Sequence, residues 1–175
     1  MIPGESIYLR ALEVSDQDRY HRWFNDPEVT FTLERHEPIT LLAEREWLEQ
    51  GRGRRSPSDL SLAICLKADD RHIGSVGFHR IHAVNRTASL GVVIGERDLW
   101  GRGYGSDAVR TLCRYGFESM NLGKIRLDVY DFNPRAAGVY ERLGFKREGL
   151  FRKEVYRNGE YRDVIRMGLL PEDLA

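Results

Sequence analysis

The stretch that decides the fold of this 175-residue chain is rich in glycine and reads Trp100-Gly101-Arg102-Gly103-Tyr104-Gly105-Ser106. An apolar segment at 88–94 precedes it, and a helical pattern of apolar residues at 105–120 follows it. Glycines let a backbone approach phosphate oxygens closely, and the free N–H groups at a helix start favour an anion. The stretch predicts a strand-to-helix loop, which serves either as a pyrophosphate cradle or only as a tight turn.

Two nucleotide-binding motifs can be compared with the glycine-rich stretch. A P-loop needs Lys followed by Ser or Thr after its last glycine, whereas Ser106 and Asp107 stand there. A dinucleotide fingerprint needs a glycine in place of Ser106 and no residues between strand and loop, yet 96–100 intervene. Asp128 fits a ribose-binding acid only superficially, so a dinucleotide site is a remote alternative.

The pattern outside the glycine-rich stretch alternates between strand and helix signals. Strands are predicted at 7–12, 60–66, 72–81, 88–94 and 125–130 and in the tail at 145–170, where Asn158-Gly159 indicates a hairpin turn. A capping box of Ser15 and Asp18 opens a helix that Pro27 stops, Thr40 caps a second helix that Gly51 ends, and a third spans 105–120. The order predicts an α/β (α+β) domain with one β-α-β crossover.

Composition limits the possible partners and surroundings of the chain. Its 27 basic residues balance 27 acidic ones, which argues against nucleic acid and against an anionic membrane surface. Cys65 and Cys113 lie in apolar segments without metal-ligand spacing, so we expect reduced core thiols and no metal. No secretion signal or membrane span is evident, and the arginines at 52, 54 and 55 read as a solvated loop. One cytoplasmic domain over 1–175 is expected.

A second constellation lies between Asn133 and Phe145, where Pro134 and Gly144 mark the two ends of a helix. Asn133, Ala136 and Tyr140 recur at helical spacing and share one face. Taken alone, Asn133 reads as a helix cap and Tyr140 as a core aromatic residue.

Together the two motifs make the chain resemble the GNAT superfamily of acetyl-CoA-dependent N-acetyltransferases. The likeness rests on Gly101-x-Gly103-x-Gly105 and on Asn133-x-x-Ala136-x-x-x-Tyr140-x-x-x-Gly144-Phe145. It is closest to the branch of ribosomal-protein N-terminal and spermidine acetyltransferases, through Leu9-Arg10, Asn25-Asp26-Pro27-Glu28-Val29 and the segment 157–163. This resemblance implies a largely antiparallel mixed sheet with a splayed parallel strand pair and flanking helices. The strand-rich tail offers a sheet edge for a homodimer.

The resemblance also implies a site in the gap between the splayed strands, near Ile94 and Tyr130. Backbone amides would hold acetyl-CoA, contributed by Val92, Val93, Ile94, Arg102, Gly103, Tyr104, Gly105 and Ser106. Asn133 would contact the pantetheine arm, and Tyr140 would act as general acid toward the sulfur. Trp100 stands where the family usually carries Gln or Arg, which leaves that side-chain contact open.

The expected chemistry needs a base, because an alkylamine is almost fully protonated at pH 7. Glu34 is the first candidate, and the alternatives are Asp128, His79, His82, Glu96 or a water chain. A strand amide near Val93 would stabilise the developing oxyanion. A non-catalytic acyl-CoA-binding module is the alternative to an enzyme.

The acceptor is expected to be a primary amine: a protein N-terminus, a polyamine, an amino sugar or an amine-bearing antibiotic. A two-residue turn at Asn158-Gly159 would place Glu154 opposite Asp163 across the hairpin. These like charges would either attract a cationic acceptor or be neutralised by Arg152, Lys153 or Arg162.

Overall fold

An eight-stranded sheet forms the centre of the computed structural model, which describes residues 1–34, 37–49 and 57–175. Its strands are β1 (Ile2–Pro3), β2 (Ile7–Ala11), β3 (Leu60–Leu66), β4 (His72–His82), β5 (Thr87–Ile94), β6 (Lys124–Tyr130), β7 (Lys146–Arg157) and β8 (Glu160–Leu169). The helices are α1 (Gln17–Phe24), α2 (Pro27–Thr30), α3 (Leu41–Glu49), α4 (Tyr104–Glu118) and α5 (Pro134–Arg142). The strand order β1-β2-β3-β4-β5-β6-β8-β7 confirms the predicted mixed α/β class.

Strands β5 and β6 run parallel, whereas all other neighbouring strands of the sheet run antiparallel. The two strands pair through Thr87 with Lys124, Ala88 with Ile125 and Ser89 with Arg126. Beyond Ser89 they separate, while β5 stays paired with β4 as far as Ile94 and β6 stays paired with β8 as far as Tyr130. The splayed pair expected from the resemblance is therefore confirmed.

The two faces of the sheet pack against different helices. On one face α4 and α5 contribute to the larger core, with Leu112 and Ala137 buried against Ile125 and Leu90. On the other face α1 and α3 cover a smaller cluster that contains Tyr20, Trp23 and Leu48. Each strand residue faces one helix layer or the other, so the splay opens between the two layers.

The region before α1 departs from the predicted capping box. Asp16, not Asp18, completes the box, and its partner is Glu13, not Ser15. Asp16 is 1% exposed and accepts two 2.8 Å hydrogen bonds from the Arg10 guanidinium and one of 3.0 Å from His72. The Arg10 guanidinium, whose side chain is 26% exposed, pairs with this buried carboxylate, which the local sequence pattern does not reveal.

Two helix boundaries were predicted with different success. The helix α1 ends at Phe24, before Pro27, and Pro27 then opens α2 at its first position, where its missing N–H costs nothing. Thr40 caps α3 as predicted, because its hydroxyl accepts the N–H of Ala43 at 3.1 Å. The predicted exit at Gly51 and the arginines at 52, 54 and 55 lie outside the described residues.

The C-terminal hairpin turns at Asn158 and Gly159, which have φ values of 49° and 86°. Both are positive, as a type I′ turn requires. The pairing predicted from this turn continues through Val155 with Arg162 and then breaks at a bulge. The expectation that Glu154 lies opposite Asp163 is therefore wrong. Instead, the N–H of Lys153 donates to the Asp163 carboxylate at 2.8 Å.

Cys65 and Cys113 are buried, and neither forms a disulfide. Within the described ranges, no helix has the length and apolar character needed to cross a bilayer.

Candidate active site

The glycine-rich loop reaches α4 through two residues in the left-handed backbone region. Gly101 has φ 82° and Gly103 has φ 87°, a conformation that is strained for a residue with a side chain. Gly103 is the N-cap of α4, so the amides at the start of this 15-residue helix point out of its end. This geometry is suited to an anion, as the sequence predicts.

A cleft of about 650 Å³ extends from this loop along the end of β5 to α5. Most predicted binding residues line it: Val92, Val93, Ile94, Gly103, Tyr104, Gly105, Ser106, Asn133 and Tyr140. Arg102 does not line the cleft and is exposed at its outer side. The structure therefore brings the two sequence motifs together and leaves the Arg102 side chain outside.

Two arginines of α5 line the cleft and were missed in the sequence. Among the residues that the structure describes, Arg135 and Arg142 are the two arginines or lysines that line the cleft, and Glu28 is its one carboxylate. The Arg135 guanidinium lies so close to the loop that a Cβ on Gly101 would be 2.9 Å from it. The one sequence signal for this position was that Arg135 follows two residues after Asn133, at the start of the predicted helix. Arg135 thus brings a cationic side chain to the loop from across the cleft.

Trp100 has a defined place at the mouth of the cleft. Its indole Nε1 donates to the carbonyl oxygen of Ile94 at 2.7 Å, and 38% of the residue is exposed. This bond satisfies a carbonyl at the end of β5, where the strand has already parted from β6. The side chain that departs from the family pattern is therefore a structural element of the cleft wall.

The helix α5 positions the two polar residues of the second motif. The Asn133 side-chain oxygen accepts the N–H of Ala136 at 3.2 Å, which caps the helix as predicted. Tyr140 packs its ring against Phe145, with 5.7 Å between the ring centroids. Burial, with a smaller contribution from the Cys113 thiol, raises the pKa of Tyr140 to about 12. The phenol is therefore protonated at neutral pH.

A second cavity of about 710 Å³ lies behind the splay, under α1 and α3. Ser75, Gly77, Ser89 and Gly91 lie along it on β4 and β5, and Tyr20 and Trp47 line it from the helices. Val92, Val93, Asn133 and Tyr140 line both this cavity and the cleft. The two spaces therefore meet beside the Tyr140 side chain.

The candidate bases have different surroundings. Glu34 and His79 line the second cavity, and the Glu34 backbone oxygen accepts a 3.2 Å bond from Arg157. Asp128 also lines it, but both of its oxygens accept from Arg166, at 2.8 and 2.9 Å.

The other two candidates are held elsewhere. Glu96 accepts the indole N–H of Trp23 at 2.9 Å and bonds to Arg22 and Arg71. The His82 Nδ1 accepts the N–H of Asn85 at 3.1 Å, in the turn after β4. Neither residue lines the second cavity.

Comparison with known proteins gives the family. The model of the acetyltransferase (GNAT) domain matches residues 6–146. This chain belongs to the GNAT acetyltransferases. It is an acetyl-CoA-dependent N-acetyltransferase that transfers the acetyl group to a primary amine.

Relatives match along almost the whole enzyme. The uncharacterised N-acetyltransferase p20 of Bacillus licheniformis is 34% identical over 98% of this chain and 96% of its own. A spermidine N(1)-acetyltransferase of Vibrio cholerae is 36% identical over 95% of this chain and 94% of its own. The crystal structure of spermidine N-acetyltransferase from Vibrio cholerae in complex with CoA and spermine superimposes with a TM-score of 0.87, at 28% identity over 96% of this chain and 97% of that one.

The cleft of this enzyme fits its cosubstrate, acetyl-CoA. Outward-pointing amides at the start of α4 and the Arg135 guanidinium are suited to the negative pyrophosphate. The open edges of β5 and β6 offer backbone groups to the amides of a pantetheine arm. Within the described part of the chain, no cluster of His, Cys, Asp and Glu could hold a metal ion.

Proposed function

We propose that the amine acceptor enters through the cavity behind the splay and meets the acetyl thioester beside Tyr140. The observation that carries this proposal is that the cleft and the cavity share Val92, Val93, Asn133 and Tyr140. Two reactants that approach from opposite faces of the sheet would meet at these residues. Holding them there would replace a bimolecular encounter by a reaction within one complex.

The proposed roles follow from the surroundings of each residue. Acetyl-CoA supplies the acetyl group and a thiolate leaving group. Glu34 takes the proton from the ammonium group of the acceptor, so that a free electron pair can attack. The Val93 N–H faces the oxygen that gains charge, and Tyr140 donates its proton, or a hydrogen bond, toward the sulfur. The N–C bond forms and the C–S bond breaks, and the second proton of the attacking nitrogen restores the Tyr140 phenol after Tyr140 has protonated the sulfur. The products are the amide, the CoA thiol and the one proton that Glu34 has taken.

Two acceptor classes have support. Relatives named as spermidine acetyltransferases favour a polyamine, and the resemblance of the sequence to ribosomal-protein N-terminal acetyltransferases favours a peptide N-terminus. Both present a primary amine on a flexible chain. We propose one of these classes as the natural acceptor.

The test is release of free CoA, measured with a thiol reagent on a panel of spermidine, short peptides, amino sugars and aminoglycosides. Tyr140→Phe should lower kcat by 10²-fold or more, since general acids contribute about 10²–10⁴-fold, and should leave the Kd of acetyl-CoA nearly unchanged. Glu34→Gln should lower kcat in the same assay. Tyr115→Phe, a change on α4 outside both cavities, is the matched control. An unchanged kcat in Tyr140→Phe would remove this residue from the mechanism.

We also propose that residues 1–175 form one domain that works in the cytoplasm, without a nucleic-acid or membrane partner. The balance of 27 basic and 27 acidic residues supports this assignment. A homodimer is proposed through the sheet edge at β7, where Leu150 and Phe151 are exposed and where Tyr156 packs on Tyr161 of β8. Light scattering on the eluting protein measures its mass directly.

A further inference from the structure

The charged residues that line the second cavity, through which the amine acceptor is proposed to enter, differ between its two ends. At the closed end of the splay, the last paired residues are Ser89 and Arg126. His79 pairs with Ser89 on the other side, so the three side chains form one row across β4, β5 and β6 on the cavity face. Arg80, the next residue of β4, also lines the cavity.

Arg126 keeps most of its hydrogen-bonding capacity for a ligand. Its Nε donates to the Ser89 hydroxyl at 3.2 Å, which uses one of the five N–H groups of a guanidinium. Ser89 accepts in this bond and so keeps its own proton to donate. Within 1–34, 37–49 and 57–175, no carboxylate lies within 4.0 Å of the charged nitrogens of Arg126 or Arg80.

Carboxylates are found toward the open end, around Tyr130. Glu34 lies on this side, since Arg157 stacks over the Tyr130 ring at 5.9 Å and donates to the Glu34 carbonyl. Glu154 lies in the bulge after Phe151, and Phe151 pairs with Val164, the partner of Tyr130. Between the two ends, Asp128 is neutralised by Arg166. Among the residues that line the cavity, Arg80 and Arg126 thus lie at its closed end, and Glu34 and Glu154 lie toward its open end. Each end also has an opposite charge just outside the lining: Asp59 lies 3.5 Å from His79 at the closed end, and Arg157 lies over Tyr130 at the open end.

This separation is suited to a zwitterion. The open end is where the acetyl group is transferred, so an ammonium group belongs beside its carboxylates. Four residues of strand, about 13 Å, separate Arg126 from Tyr130. A polyamine would instead place its distal ammonium groups against Arg126 and Arg80, which is unfavourable.

We infer that the natural acceptor carries an anionic group, a carboxylate or a phosphate ester, which binds Arg126 and Ser89 while the amine lies at the open end. The inference rests on the proposed acetyl transfer at this site: a carboxylate would select the peptide class over the polyamine class, and a phosphate ester would extend the acceptors to phosphorylated amines. A short peptide with a free C-terminus has this chemistry, since four extended residues span at most about 14 Å.

The test compares amines that differ only in the anion. Tetra-alanine is compared with its C-terminal amide, and glucosamine 6-phosphate with glucosamine, with spermidine as the polycation; kcat/KM is measured by CoA release. At least one anionic amine should exceed its neutral counterpart tenfold or more, and the pair that shows the preference distinguishes carboxylate from phosphate. Arg126→Gln, which keeps a group able to bond Ser89, should reduce that preference to twofold or less and raise the KM of the anionic amine more than it lowers kcat. Arg126→Lys should restore part of it.

Arg114→Gln is the control, because Arg114 is exposed on α4 and lines neither cavity. Melting curves exclude loss of folding as the cause in any variant. Turnover of spermidine above both anionic amines, or a preference that survives Arg126→Gln, would overturn the inference and leave the proposed function intact. If no amine caused CoA release although acetyl-CoA bound, both the inference and the proposed function would be overturned.

Discussion

Trp100 joins the glycine-rich loop to the end of β5, because its indole Nε1 donates to the carbonyl oxygen of Ile94 at 2.7 Å. The bond holds a cleft wall in place, and Trp100→Phe removes it while keeping an aromatic ring. A hydrogen bond of this kind contributes about 1 kcal/mol, so acetyl-CoA should bind about fivefold more weakly. Titration calorimetry measures this Kd directly. An unchanged Kd would show that the indole N–H does not organise the cleft.

Arg135→Ala should weaken acetyl-CoA binding by about tenfold, since a charge-assisted contact to a phosphate contributes about 1.5–3 kcal/mol when desolvated and less at an exposed site. The binding of wild-type enzyme should also depend more steeply on salt than that of the variant. The Kd of acetyl-CoA, measured for wild type and variant at several salt concentrations, gives both the loss of affinity and the difference in salt dependence.

The control for Arg135 uses the cosubstrate itself. S-acetylpantetheine lacks the pyrophosphate, so Arg135→Ala should process it with the wild-type kcat/KM. Equal losses with both thioesters would mean that Arg135 supports the fold of the loop and not the phosphate.

The raised pKa of Tyr140, about 12, predicts the pH dependence of its contribution. A raised pKa moves the loss of the proton to higher pH, so the phenol remains an acid throughout pH 7–10. The ratio of kcat between wild type and Tyr140→Phe should therefore stay constant over this range at saturating substrates. A ratio that approaches one near pH 10 would indicate an ordinary phenol.

Asp16 should dominate the acid sensitivity of the fold. Burial opposes its ionisation, but hydrogen bonds from Arg10 and His72 outweigh burial and hold the pKa of Asp16 well below its usual range. A lowered pKa stabilises the fold above the unfolded value of about 3.9, and this stability is lost as the pH falls below it. Asp16→Asn should lower the free energy of unfolding by about 3 kcal/mol at pH 7, because Arg10 loses its counter-charge and the His72 ring loses a carboxylate hydrogen-bond partner.

Urea unfolding at pH 7 and pH 3 measures this effect. The difference between wild type and Asp16→Asn should shrink at the lower pH. Asp18→Asn, at an exposed position two residues away, should change little at either pH. A difference that is the same at both pH values would mean that the Asp16 charge plays no part.

The sequence predicted those parts of the molecule that depend on local rules. Asn133, Pro134 and Gly144 delimit α5 because cap chemistry is local, and the apolar pattern marks β5 and α4 because each has a buried face. The capping box at Asp16 was missed because its partner, Glu13, is not a residue type that commonly caps a helix. The bonds of Asp16 to Arg10 and His72 were missed because these two residues lie on strands β2 and β4. The bulge after Phe151 was missed for a similar reason, as the turn at Asn158-Gly159 determines only the nearest pairs.

The residues of the candidate site also fall into a group that local motifs predicted and a group that depends on the tertiary structure. Backbone positions in the cleft, such as Val92 and Gly103, follow from the motifs that place them. Arg135 and Arg126 reach the two cavities only through tertiary packing, across the cleft and across the end of the splay. Their proposed roles depend on guanidinium groups that remain available to a ligand. Which arginines form ion pairs within the protein depends on the fold, and the sequence alone does not show it.

The three residue pairs that join β5 to β6 leave the enzyme with two strand edges inside its own sheet. An edge on the outside of a protein invites pairing with a neighbouring molecule, and exposed edges are often sites of aggregation. Here the inner edges lie between the helices of the two faces, and they line a cleft and a cavity and not the outer surface of the sheet. A narrow ligand with amide groups of its own, such as a pantetheine arm, can form hydrogen bonds with the unpaired backbone groups of these edges. The same unpaired backbone that would be a hazard at the surface thus becomes a selective receptor in the interior.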